Sequence, residues 1–256
     1  MAILAFRESS RDTSRQGSAE PLETAGVNDG RLLEKYASSG SREAFAELVR
    51  RHTDRVYAAC LRLLGDPHLA EDAVQATFMV LVRKAGRLRP GTVLADWLYW
   101  TARHCAQEIR RARRRRAAHE REAAMKRPKE TAPSGPDAGA ELRAQLDAAM
   151  AGLPASQRQA AVLHYFYGKT QEQIARETGC PRTTVTRRLS SALEKLRRSL
   201  SRRGVAVSAA ALTAALAEEA AVTAPAGLAA SVEAACLGGA AASSLAAGAA
   251  QGAVKA

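Results

Sequence analysis

The chain has 256 residues, 38 Lys and Arg against 26 Asp and Glu, a formal charge of +12, and 46% hydrophobic residues of which few are aromatic (4% of the chain). Its length allows one or two domains with genuine cores, and abundant Ala, Leu, Arg and Glu with so few aromatics excludes an all-β sandwich or barrel. Cys60, Cys105, Cys180 and Cys236 form no CxxC pair, which excludes a disulfide framework and fits reduced thiols in the cytosol.

Met1 to Phe6 is apolar, but Arg7 and Glu8 end it far short of a signal-peptide core. Residues 1–28 therefore read as a disordered leader. From Asp29 to Arg116 the pattern is helical. Leu32, Leu33 and Tyr36 lie on a first helix that turns at Ser38-Ser39-Gly40, and Ser41 caps a second. On that second helix Phe45, Leu48, Val49, His52, Val56, Cys60 and Leu63 recur at three- and four-residue spacing, and Gly65-Asp66-Pro67 stops it. A third helix spans 68–84 and a fourth 93–116, the latter apolar at its start and arginine-rich at its end. Residues 117–140 hold Pro128, Pro133, Gly135, Pro136 and Gly139 and almost no apolar residue but alanine, the composition of a flexible linker. Periodicity resumes at Glu141, with helices expected to Met150, over 156–167, over 171–178 and over 182–201. No stretch alternates with period two. The expected fold is all-α: two small helical domains, 29–116 and 141–203, joined by a linker, the second a helix-turn-helix.

The helix-turn-helix assignment rests on spacing. Thr170 and Gln173 form a capping box, Ile174 and Ala175 allow a close crossing, Gly179 takes the turn, and Val185 plugs the angle between the helices. Val185, Leu189, Ala192 or Leu193, Leu196 and Leu200 make the inward stripe of the last helix. Thr183, Thr186, Arg187 and Ser190 face outward, where Arg reads guanine edges and Thr touches thymine methyls. Arg188 and Arg198 flank that face and suit phosphate.

The charge is local. Residues 103–116 carry seven arginines against Glu108, a net of +6, and residues 182–203 carry eight basic residues against Glu194, a net of +7. The remainder is nearly neutral. One basic run reads as a solvated helix face; two, each on a helix, fit a chain that meets a polyanion in two places. On the third helix, removing the buried stripe leaves Glu71, Asp72, Gln75 and Met79 on an outer face, solvated or serving as a protein-docking surface that repels DNA.

Several segments together resemble one family. Asp29-Gly-Arg-Leu-Leu, Ala44-Phe-Ala-Glu-Leu-Val, Ala70-Glu-Asp-Ala-Val-Gln-Ala-Thr-Phe and Trp97-Leu resemble the promoter-melting domain of sigma-70-type factors of bacterial RNA polymerase. The two-domain layout with a C-terminal helix-turn-helix is similar to the extracytoplasmic-function (ECF) subgroup. The resemblance implies that Glu71, Asp72 and Gln75 dock on core polymerase. It implies that Arg103, His104, Arg110, Arg111 and Arg114 contact a −10-type element, and that Arg182, Thr183, Thr184, Thr186, Arg187 and Arg188 contact a −35-type element of promoter DNA. The linker would thread toward the polymerase active-site channel. An anti-sigma factor is a further partner that it allows. Family members usually carry Asn and Asp where His104 and Glu108 stand, and often Gly in place of Thr183.

No catalytic constellation is present. The five histidines pair with no Cys or His at ligand spacing, there is no phosphate loop, and Glu71 and Asp72 splay about 100° apart on a helix. Neither a cofactor nor a metal is expected, and the chain reads as a cytoplasmic non-enzyme. The other reading is a helix-turn-helix regulator with an N-terminal sensor domain. Residues 204–256 form an Ala-rich tail, with a helix expected near 205–221 whose inward stripe is Val207, Ala211, Ala214 and Ala215 or Leu216. The uncharged run 234–254 has the length of a membrane span, but its glycines and alanines argue against insertion. The tail is either low-complexity sequence or an appendage that packs on the preceding domains or meets a partner at the membrane.

Overall fold

Eight helices in two groups account for the two expected domains. The computed structural model describes residues 28–124, 138–205, 207–220 and 222–238. Positions 1–27 of the expected leader, positions 125–137 of the linker and positions 239–256 of the tail lie outside them, and with these most of the uncharged run.

In the first group, α1 (Asp29–Ser39) starts where the Asn28 side chain accepts from the Gly30 N–H and ends at Gly40, whose φ of 66° is left-handed. Ser41 caps α2 (Arg42–Leu64) through the Ala44 N–H. Asp66 caps α3 (Pro67–Lys84), whose first residue is a proline that needs no N–H partner there. A short 3-10 turn follows at Ala85–Arg87, then α4 (Leu94–Ala124). Phe45, Leu48, Phe78, Leu81, Leu98 and Ile109 fill the core between α2, α3 and α4. Helix α4 runs eight residues past the expected end at Arg116. Residues 117–124 read Ala-Ala-His-Glu-Arg-Glu-Ala-Ala, mostly strong helix formers, and the first proline comes only at 128.

The second group holds α5 (Ala138–Ala151), which begins three residues earlier than expected, α6 (Ala155–Ala161), α7 (Gln171–Thr178) and α8 (Arg182–Ser201). The capping box forms as read, with Thr170 and Gln173 each satisfying the other's N–H, and Gly179 adopts φ 62° at the turn. Between α6 and α7 the helix expected over 156–167 widens into a π-helical turn, Val162–Phe166. The wide turn divides its side chains. Leu163 enters the cluster of Ile174, Val185 and Leu189, while Val162 and Phe166 enter a second cluster with Leu146, Met150 and Leu196.

That second cluster also contains Ala59 of α2 and Tyr99 of α4, so the two domains share buried apolar surface. The tail closes over both. Helix α9 (Ala209–Ala220) buries Leu212 and Leu216 in the shared cluster, whereas α10 (Leu228–Leu237) buries Leu228 and Val232 in the core of the first domain. The inward stripe of α9 thus differs from the expected one through Ala211 and Ala214. Leucines four apart remove far more apolar area from water than alanines do, and they set the rotation of the helix.

Candidate nucleic-acid interface

The second helix of the helix-turn-helix turns its polar face outward as the spacing requires. Val185 is fully buried and Leu189, Ala192, Leu196 and Leu200 follow on the inward side. Arg182, Thr183, Thr186 and Arg187 are exposed, and Thr184 and Arg188 are half-buried at its margin. Neighbouring side chains hold some of these in place. Thr186 Oγ1 donates to Gln171 Oε1 at 2.6 Å, Arg182 pairs with Glu172 at 2.8 Å, and Arg188 donates to Cys180 Sγ at 3.3 Å. Gln171 and Glu172 stand in the first turn of α7, so the first helix of the motif orients the second. No side chain caps α8 at Pro181, which leaves its N-terminus open to a phosphate.

The basic half of α4 is less uniform. His104, Arg111, Arg113, Arg114, Arg115 and Arg116 are exposed. Arg111 pairs with Glu108 at 2.6 Å, and Arg113 reaches Asp66 at 3.3 Å. Desolvation of the ring by its neighbours, with Arg103 and Arg111 close by, lowers the His104 pKa. Arg110 is half-buried. Arg103 is 14% exposed, and its Nε lies 4.0 Å from Asp147 of α5. Four of the five residues assigned to the −10-type element therefore lie at the surface or its margin, while Arg103 faces the seam between the domains.

The seam is a polar constellation that sequence reasoning did not single out. Arg62 of α2 donates through Nη2 and Nε to Asp147 Oδ1 at 2.9 and 3.2 Å, and through Nη2 to the Tyr99 hydroxyl at 2.9 Å. Both charged side chains are almost fully buried, and the Arg62 guanidinium lies over the Phe166 ring at 4.8 Å. Next to it the Trp100 ring lies between two guanidiniums, Arg158 of α6 at 4.3 Å and Arg103 at 5.1 Å. Asp96 sits 3.8 Å from Arg158, and burial, only partly offset by that arginine, pushes its pKa up to about 6. At the other edge His52 bridges Asp29 and Tyr167 through its two ring nitrogens, at 3.1 and 3.2 Å. Burial works against the Asp29 carboxylate, but His52 and Arg51 outweigh it and hold that carboxyl well below the usual range. Asp147, set between Leu146 and Ala149 on an otherwise apolar stripe, was the one local sign of this seam.

On α3, Glu71, Asp72, Gln75 and Met79 are partly rather than fully exposed, and Met79 packs against the first core. Among the described residues no group of three or more His, Cys, Asp or Glu is placed to hold a metal. Nor is any helix there long and apolar enough to cross a membrane.

Comparison with known proteins agrees with this layout. The family model for sigma-70 region 2 matches residues 48–117, and that for sigma-70 region 4 matches residues 143–196. The first match excludes the alternative of a helix-turn-helix regulator with a separate sensor domain, because the N-terminal domain is itself a sigma domain. RNA polymerase sigma factor CarQ of Myxococcus xanthus is 33% identical over 161 residues, 63% of this chain and 91% of that protein. ECF RNA polymerase sigma factor SigE of Mycolicibacterium smegmatis is 31% identical over 182 residues, 70% of this chain and 68% of that one. Among solved structures, CnrH in complex with the cytosolic domain of CnrY matches with a TM-score of 0.37 and 21% identity, over 68% of this chain and 99% of that one, a likeness too loose to bear on the arrangement of the domains. With both sigma domains matched in order and a relative matched over nine-tenths of its length, the chain belongs to the sigma-70 family of bacterial RNA polymerase sigma factors, in the ECF subgroup, and serves transcription initiation.

Proposed function

We propose that the chain directs core polymerase by recruitment rather than by chemistry, with each function on its own helix. Residues 29–116 are the promoter-melting domain, 141–203 the −35-type reader, and 117–140 the connection between them, its first eight residues continuing α4 and its last three opening α5; the leader 1–28 and the tail 204–256 flank these two domains. The exposed arginines on two helices of different domains carry this reading, since one protein can then hold two promoter elements at once. Arg182, Thr183, Thr184, Thr186, Arg187 and Arg188 contact the −35-type element in the major groove. His104, Arg110, Arg111 and Arg114, joined by Arg103 when the domains part, hold the −10-type element and favour unstacked bases. Glu71, Asp72 and Gln75 dock on the polymerase. The chain works in the cytoplasm, where its cysteines stay reduced.

Each DNA site is weak alone, and tethering both through core polymerase supplies the effective concentration. The test is transcription from genomic fragments with purified core polymerase and the purified chain. Specific starts that weaken on Arg187→Ala and on Arg114→Ala support the assignment. Starts that are indifferent to both substitutions refute it.

A further inference from the structure

The tail lies across both domains, and its last described helix packs on α2 and on α3, the helix that carries the proposed docking residues. After α9 leaves the shared cluster, the Ala224 N–H donates to the exposed Asp54 Oδ1 at 3.0 Å, which fixes the chain on α2. Gly227, at φ 87°, turns it into α10. Leu228 and Val232 are then buried in the core of α1–α4, and Cys236 and Leu237 are partly buried against it. Leu237 lines an open groove with Val82 of α3 and with Tyr36, Ala37 and Gly40 of the α1–α2 turn. Along the outward stripe of α3, Met79 and Val82 follow Gln75 at one and two turns, and both pack into the cluster that α10 completes. From Leu69 to Val82 not one residue of α3 is fully exposed. Helix α10 carries a single charge, Glu233, and is otherwise small and apolar.

We infer that α10 is an intrachain competitor of core polymerase: it packs on α2 and α3, reaching Val82 two turns along the same stripe from Gln75, and must leave before α3 can dock. The inference rests on the docking role proposed above for those three residues. The strap holds both domains, because α9 is anchored in the seam that keeps Arg103 turned to Asp147. Release of α10 and opening of the seam therefore belong to one change, from a closed form with α10 packed on α3 to a form able to bind polymerase and promoter. The seam is suited to opening. Its outer ion pairs are long, and Trp100 Nε1 and Asp147 Oδ2 are buried without a hydrogen-bond partner, groups that water would satisfy once the domains part.

Two measurements on the full chain test this. The first is affinity for purified core polymerase, compared among the wild type, Val232→Asp and Asp54→Ala. The second variant alters only an exposed side chain and cannot unfold the core. Tightening of about tenfold for Val232→Asp, equivalent to about 1.4 kcal/mol, and a smaller tightening for Asp54→Ala are expected. The second measurement is maleimide modification of Cys236, read by mass spectrometry with and without core polymerase. Docked, that thiol is partly buried and its pKa is pushed up to about 12 by burial, so it reacts slowly. Addition of core polymerase should accelerate its modification about tenfold, since an undocked thiol regains its ordinary pKa. Unchanged affinity in both variants, or a Cys236 that stays protected in the holoenzyme, overturns the inference. Asp72→Ala with Gln75→Ala checks the underlying docking role separately. If that pair weakens core binding while the strap variants do nothing, only the strap is refuted; if it leaves binding intact, the docking assignment falls and the competition with it.

Discussion

Replacing Asp147 with Ala should open the molecule. The Arg62–Asp147 pair has side chains 1% and 3% exposed, two hydrogen bonds to one carboxylate oxygen and a third from Arg62 to Tyr99. Removing one partner of a buried pair leaves the other charge desolvated and costs about 3–5 kcal/mol. Arg62 lowers that penalty by meeting water, and the path to water is separation of α5 from α2 and α4. The cost is therefore capped by the free energy holding the seam, and the domains part instead of tolerating the buried charge. Small-angle scattering should show a larger radius of gyration for Asp147→Ala, and urea unfolding should split into two transitions in place of one. Replacing both partners with apolar residues, Arg62→Met with Asp147→Leu, removes both charges from the seam and should restore compactness, since such swaps are neutral or stabilising. An Asp147→Ala protein with the wild-type radius of gyration and one unshifted transition would refute the argument that this pair governs closure.

Other expectations address single helices and groups. Thr170→Ala removes half of the capping box and should cost about 1 kcal/mol in thermal or urea unfolding of the helix-turn-helix domain. Arg187→Ala should relax discrimination at one −35 position by about 1–3 kcal/mol in competition binding with the holoenzyme, whereas Arg114→Ala should weaken binding across sequences and lower its salt dependence. Asp96, raised to about 6 in the folded chain, takes up a proton there before it would when unfolded, so its contribution raises stability as pH falls from about 6 toward its ordinary value near 4. Asn at position 96 should abolish that rise in pH-dependent unfolding. Asp29, whose carboxyl is held low, works in the opposite sense, and the stability it adds is lost as pH falls below about 4.

The helix-turn-helix was legible residue by residue. Thr170, Gln173, Gly179, Val185 and the stripe down to Leu200 act within about 30 residues of one another, and local hydrogen bonding with 3.6-residue periodicity places each of them. The caps Ser41 and Asp66 and the left-handed Gly40 and Gly65 were legible for the same reason. The extension of α4 to Ala124 was missed because a change in composition stood in for a helix stop, although no residue before Pro128 breaks the helix.

The seam was not legible. Arg62 and Asp147 are 85 residues apart, and although Asp147 interrupts an apolar stripe, nothing near it in the chain points to Arg62 as its partner. The family resemblance implied Arg103 as a −10-type contact, and only the position of α5 shows that in the closed molecule it lies beside Asp147. By itself the sequence determined the helices of the two domains, their order and most of the two outward basic faces, because those depend on neighbours within a turn or two. Tertiary structure alone decided that the domains close on a buried ion pair and that an alanine-rich tail straps them together. Leu212, Leu216, Leu228 and Val232 acquire a role only where distant helices bring apolar surface to meet them.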